Sequence, residues 1–262
     1  MKTVLVLILG TLLATQAIAA AHKETVDYKD HDVSVEGYLT YEEAEGKRPG
    51  VLVVPDWMGL GEHYRNTGDK LAALGYVAFV ADMYGKGVRP KNAQEASALA
   101  TKYKSDRPLM RQRIKAALEE LKKNKNVDPN RIAVIGYCFG GTVALELARS
   151  GADIRGVVSF HGGLDTPNPE DAKNIKAKVL ILHGADDPFV PPKDVAAFEE
   201  EMRTAHVDWQ MIFYSNAVHA FTTPAAGNDN KKGAAYNALA DRRSWRAMQM
   251  FFKEIFSGNA KS

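Results

Sequence analysis

Two periodicities alternate along the chain. The stretch "TVDYKDHDVSVEGYLTYEE" alternates apolar and polar side chains and puts Val33, Val35 and Leu39 on one face, which predicts an antiparallel hairpin or edge pair. Beyond it, short aliphatic runs are separated by helical stretches: "GVLVVP", a helix over Glu62 to Leu74, "YVAFVAD", a helical region to Lys123, and "RIAVIG". A helix from Gly140 to Ser150 follows, then "GVVSFHG", "KVLILHG", a helix from Pro192 to Thr204, "DWQMIFY" and a last helix from about Gly233 to Phe256. Strands buried on both faces lose the alternation and become continuous aliphatic runs, so this order predicts an α/β fold with a mainly parallel central sheet flanked by helices and antiparallel strands at its N-terminal edge.

The first residues depart from both patterns. "MKTVLVLILGTLLATQAIAA" has one lysine, a leucine-rich centre and small residues at its end, the pattern of a cleavable secretory signal over residues 1–21. A secreted or periplasmic location is the expectation, with residues 22–262 forming one domain. The apolar run is short for a membrane span, and no later segment is long and apolar enough to make one. No stable span is therefore expected after cleavage. Composition is 45% hydrophobic and 25% charged with a net charge of +2, both signs interleaved, which gives no reason to expect a nucleic-acid partner.

Export gives the single cysteine its interest. In an oxidising compartment cysteines usually pair, and Cys138 has no partner in the chain. It is a small core residue, an intermolecular link or a reactive thiol. Its surroundings favour the third: "RIAVIG" is a buried-strand pattern, "GTVALELARS" an amphipathic helix, and between them Gly136-Tyr137-Cys138-Phe139-Gly140 is a G-x-C-x-G form of the nucleophile elbow. A sharp strand-to-helix turn needs glycines where β-carbons would clash. It also projects the thiol from the carboxyl edge of the sheet, where a helix N-terminus favours negative charge.

A nucleophilic thiol needs a base and a group that fixes the base. In this layout chain order runs nucleophile, acid, histidine. His219, in the loop "SNAVHAF" after the last strand, is the expected base. His206 falls near the end of a surface helix, His183 closes a strand, and His161 in "SFHGG" is a pocket or supporting candidate. For the acid, "HGADDPFVPP" offers Asp186 and Asp187; Asp187 precedes proline, which holds its backbone extended, and is preferred. Oxyanion donors are expected from the amides of Phe139 and Trp57, the latter in the loop "VLVVPDWMGLGEHYR". Asp56 beside it is either a turn residue or a carboxylate close to the thiol.

At this point the chain resembles the dienelactone hydrolase family of α/β hydrolases, in "PDWMG", "GYVAFVADMYGKG", "GYCFGG", "GADDPFVP", the "HAF" loop and the final helix with Trp245 and "MFFKEIF", over about Thr25 to Phe256. The resemblance implies Cys138 as nucleophile, Asp187 and His219 as its partners, the Trp57 and Phe139 amides as oxyanion donors, and Asp56 at the position of a glutamate that accepts the thiol proton. The positions where the dienelactone enzymes carry carboxylate-binding arginines fall on Thr223 and on "KNAQEAS", which has none; Arg89 and Arg107 are nearby, and Arg89 is kept with His161 as a pocket candidate. The expectation is hydrolysis of a small-molecule ester or lactone, with no metal or organic cofactor implied. Thiol peptidase or amidase chemistry and a non-catalytic relative are the alternatives; the oligomeric state is not specified by these patterns.

Overall fold

The computed structural model describes residues 21–257. Of the expected signal segment only Ala21 is among them, and it opens a strand; the rest lies outside the described residues, as do 258–262. The first two strands, β1 (Ala21–Asp30) and β2 (Val33–Glu42), form the expected hairpin, with Tyr28 opposite Val35. Val35 and Leu39 are buried; Val33, at the turn, is not.

The remaining strands are β3 (Arg48–Val54), β4 (Val77–Val80), β5 (Val127–Tyr137), β6 (Gly156–Phe160), β7 (Lys178–Gly184) and β8 (Trp209–Tyr214). All eight join one sheet in the order β1-β2-β4-β3-β5-β6-β7-β8, antiparallel from β1 to β4 and parallel from β4 to β8. The fully buried "GVLVV" divides its side chains between the two faces. Val51 and Val53 pack under α1 (Glu62–Ala73) and α6 (Ala238–Phe256), with Leu71, Met248 and Phe252. Leu52 and Val54 face the other layer, which holds Met110, Ile114, Val143 and Phe198 from α3 (Arg107–Lys123), α4 (Phe139–Arg149) and α5 (Pro192–Thr204). Period two on the strand thus supplies both cores. Among the described residues no helix is long and apolar enough to cross a membrane.

Two helix boundaries differ from expectation. The helical region before β5 is two helices, α2 (Ala93–Lys104) and α3, because Asp106 accepts from the amide of Leu109 and Pro108 occupies the first turn, both start signals. Helix α6 begins at Ala238 instead of near Gly233, since Asn237 caps it by accepting from the amides of Leu239 and Ala240, and Ala234 pairs with His219.

Helix α4 lies under the centre of the sheet and is buried along its whole length. Its charges are matched. Arg149, fully buried, donates to Glu201 at 2.7 and 2.8 Å and to Glu146 at 3.1 Å, and Arg111 closes on Glu146 from the other side at 2.7 Å. Leaving a buried pair like this half made costs about 3–5 kcal/mol. The network therefore fixes the helix that carries the elbow.

Candidate active site

Only Cys138 separates the end of β5 from the start of α4, and it takes φ 53° and ψ −117°, a conformation that strains a residue with a β-carbon. The glycines on either side explain how the turn closes. A β-carbon on Gly136 would lie 1.9 Å from the Gly140 carbonyl oxygen, and one on Gly140 would lie 2.2 Å from that of Val54. The thiol residue is held by its amide, which donates to Phe160 O at 3.0 Å, and by its carbonyl, which accepts from Gly141 at 2.9 Å.

Cys138, Asp187 and His219 come together from three separate loops. His219 Nε2 is 3.0 Å from Cys138 Sγ, and His219 Nδ1–H donates to Asp187 Oδ2 at 2.8 Å. Asp187 Oδ1 accepts from the Phe189 amide at 2.9 Å, so both carboxylate oxygens are used. Asp186, one residue earlier, is exposed, while Asp187 is buried. Backbone bonds join the acid and base loops: Asp186 N donates to Ala217 O at 3.0 Å, and His219 exchanges bonds with Gly233 and Ala235 at 3.1 and 3.0 Å. The distance between carboxylate and imidazole is therefore set by the main chain.

Burial alone would pull the His219 imidazole below its usual range. The hydrogen bonds to Asp187 and Cys138 outweigh it and push the value up to about 10. A group raised on folding stabilises the fold fully below its unfolded value, near 6.5, and that stabilisation is lost as pH rises through the folded value. The wild-type Tm is thus expected to fall more between pH 7 and 10 than that of Asp187→Asn, which lacks the carboxylate; parallel melting curves of the two proteins would show it, and equal falls would contradict it.

The other histidines have different surroundings. His161 is fully buried behind the base, its Nε2 2.7 Å from Thr222 Oγ1 and its ring edge-on to His219 at 5.2 Å. Burial, with His219 beside it, holds it well below the usual histidine range. It is a neutral wall behind the base. His183 is also buried, against Phe213, and His206 is exposed just beyond α5.

The loop after β3 supplies the opposite wall. Asp56 Oδ1 accepts from Met58 N at 2.8 Å, Asp56 O from Gly59 N at 3.0 Å, and the Tyr84 hydroxyl donates to Trp57 O at 2.8 Å. Among the described residues the Trp57 and Phe139 amides have no acceptor outside their own secondary structure. Burial raises the Asp56 carboxyl, partly offset by the Met58 amide and the Tyr64 hydroxyl. Asp56 is therefore the turn residue, with the His219 imidazole near enough for its charge to act on the carboxyl. Arg89 does not fill the pocket role considered for it, because its guanidinium is consumed: it donates to Glu36 at 2.5 Å, Val88 O at 2.7 Å and Leu60 O at 3.1 Å, and lies 3.6 Å from Asp82. It braces the loop that carries Trp57. Tyr84, and the exposed Phe189 edge-on to His219 at 5.4 Å, lie within "GYVAFVADMYGKG" and "GADDPFVP" but receive no role from the sequence alone.

An elbow at the end of a central parallel strand, with acid and histidine on loops after later strands, defines an α/β hydrolase. The dienelactone hydrolase family model matches residues 35–256, and the chain belongs to that family, whose members are ester and lactone hydrolases. A solved structure named m3DLH is 42% identical with a TM-score of 0.87, over 90% of this chain and 99% of that one. A crystal structure of a dienelactone hydrolase-like promiscuous phosphotriesterase from metagenomic libraries is 42% identical with a TM-score of 0.86 over the same shares. Among curated proteins, a probable 2-oxo-3-(5-oxofuran-2-ylidene)propanoate lactonase of Bradyrhizobium sp is 29% identical over 92% of this chain and 96% of its own length.

Proposed function

We propose that this protein hydrolyses carboxylic esters and lactones through a Cys-His-Asp triad and an acyl-enzyme. The observation that carries the reading is the continuous chain Sγ, Nε2, Nδ1, Oδ2, with links of 3.0 and 2.8 Å. His219 Nε2 takes the Cys138 thiol proton, Sγ attacks the carbonyl carbon, and a C–S bond forms as the π pair moves onto oxygen. The Trp57 and Phe139 amides receive that oxyanion. His219 Nε2–H then protonates the departing alkoxide, the C–O bond breaks and a thioester remains; with a lactone the alcohol stays tethered to the acyl group. Water attacks the thioester carbonyl, His219 Nε2 takes its proton, and sulfur leaves. Asp187 holds the imidazole in the tautomer with Nδ1–H and stabilises the cation at each stage. Mass spectrometry of the protein quenched during turnover of a 4-nitrophenyl ester is expected to find one acyl group on Cys138, with a matching burst of nitrophenolate. Turnover without either would sink the covalent route.

The reaction is placed outside the cytoplasm on the strength of the N-terminal lysine, leucine-rich run and small residues. A cell fractionation that finds the shortened chain in the cytoplasm would reject it. A second reading, cleavage of phosphotriesters by the same thiol, is favoured by the 42% identity to the promiscuous phosphotriesterase, and a 4-nitrophenyl phosphotriester in the same assay tests it.

A further inference from the structure

The lactonase relative's name specifies a propanoate, a substrate that carries a carboxylate beside its lactone ring. A buried carboxylate on a ligand needs a cation or several donors, because stripping it of water without compensation is unfavourable. The thiol, base, acid and oxyanion loop of this chain provide no such partner. Among the described residues no lysine or arginine donates to any atom of Asp56, Cys138, Asp187 or His219; the bonds these side chains make run to one another and to main-chain amides. Arg89 and Arg107 are already occupied. Arg89 is spent on Glu36, Asp82 and two carbonyls, and Arg107, buried, donates to Asp165 at 2.7 Å. Lys231 and Lys232 stand exposed on the turn before Gly233, where solvent and salt screen them.

What the site offers instead is aromatic and apolar. Behind it the buried Tyr84 and Phe139 rings stack at 6.1 Å and the partly buried Trp57 packs against that cluster, while the exposed Met58 follows Trp57 and the exposed Phe189 stands edge-on to His219. Asp56, near enough to His219 for their charges to interact, adds a carboxylate whose sign opposes an anionic substrate. Exclusion by like charge and an unmatched cavity is a recognised source of specificity.

We infer that this site selects an uncharged ester or lactone with apolar substituents and discriminates against substrates that bear a carboxylate. The inference rests on the ester and lactone reading above and names its substrate class. A matched pair tests it: (5-oxofuran-2-ylidene)acetate and its methyl ester, which differ only in the charge and one methyl group, with ring opening by the full mature protein followed by ultraviolet absorbance. The methyl ester is expected to show a kcat/KM at least roughly tenfold higher after correction for spontaneous opening, the scale of an unfavourable charge contact at protein surfaces. Equal values, or faster opening of the acid, would overturn the inference. Binding of both compounds to Cys138→Ala by calorimetry separates it from the hydrolase reading. Tighter binding of the methyl ester without turnover in the wild type would leave the selectivity standing and remove the hydrolase reading. Tighter binding of the acid, or binding of neither, would overturn the selectivity itself.

Discussion

Cys138→Ala is expected to lower kcat/KM for an activated ester by about a thousandfold or more while the protein melts within a few degrees of the wild type. The two halves of this result come from different features of the residue. The variant keeps the oxyanion amides and the imidazole, so it retains whatever rate those groups give to direct attack by water, but it has no atom with which to form the thioester; losses of this size or larger are typical when the nucleophile of a triad is removed. Stability changes little because the strained backbone at φ 53° must be held by either residue, and it is held by the Phe160 and Gly141 main-chain bonds. The side chain itself contributes one hydrogen bond and a small, partly buried surface, together about 1–2 kcal/mol. Steady-state kinetics on a 4-nitrophenyl ester and a melting curve check both halves. Wild-type rates in the variant would remove the thiol from the mechanism, and a collapsed melting curve would make the activity loss uninformative.

The parts of this molecule that were legible in the sequence are those set by local pattern. Strands β3 and β5 to β7 are short aliphatic runs and could be read directly, and the elbow could be read because sterics there demand glycine at two fixed offsets from Cys138. The histidine followed from chain order. The choice between Asp186 and Asp187 rests on Pro188 and on the family resemblance, and in the structure Asp187 is the one that reaches His219. What was not legible depends on contacts between distant residues. Arg89 is kept as a candidate for its place near the motif, which does not reveal its partners; the nearest of these, Glu36, lies 53 positions earlier on the antiparallel hairpin. Tyr84 is ordinary in its own segment and acquires a role only when β4 brings its hydroxyl to Trp57, 27 positions away. The start of α6 was misplaced because residues 233–237 have helix-compatible side chains, while the loop that positions His219 draws their backbone into a different set of bonds.

The elbow glycines lead to the second large expected effect. Gly140 lies in the first turn of α4, where replacing glycine by alanine ordinarily stabilises a helix by about 1 kcal/mol. Here the sign should reverse. The new β-carbon would lie 2.2 Å from Val54 O and 2.4 Å from Pro55 O, and both neighbours are main chain of the central strand β3 and the loop that follows it. Neither can rotate away, so α4 must lift from the sheet. Its far end is clamped by the Arg149, Glu146 and Glu201 network, which opposes the movement. Overpacking of this kind costs about 3 kcal/mol at the upper end of its usual range, which in a protein of this size lowers Tm by roughly 6–12 °C. Because the displaced segment carries Cys138 and the Phe139 amide, and its obstacle is the loop carrying Trp57, a shift of about 1 Å would also misalign nucleophile and oxyanion donors and cost roughly a hundredfold in rate. Gly75→Ala provides the comparison: that glycine has φ +89° but no atom within 4 Å of the added carbon, so only backbone strain of about 1 kcal/mol is incurred, and activity should stay within twofold. If Gly140→Ala melted and turned over like the wild type, the close approach of helix to strand could not be what positions the thiol. If it lost stability and activity together while Gly75→Ala lost only a little stability, the elbow's geometry would be tied to the chemistry by a single carbon atom.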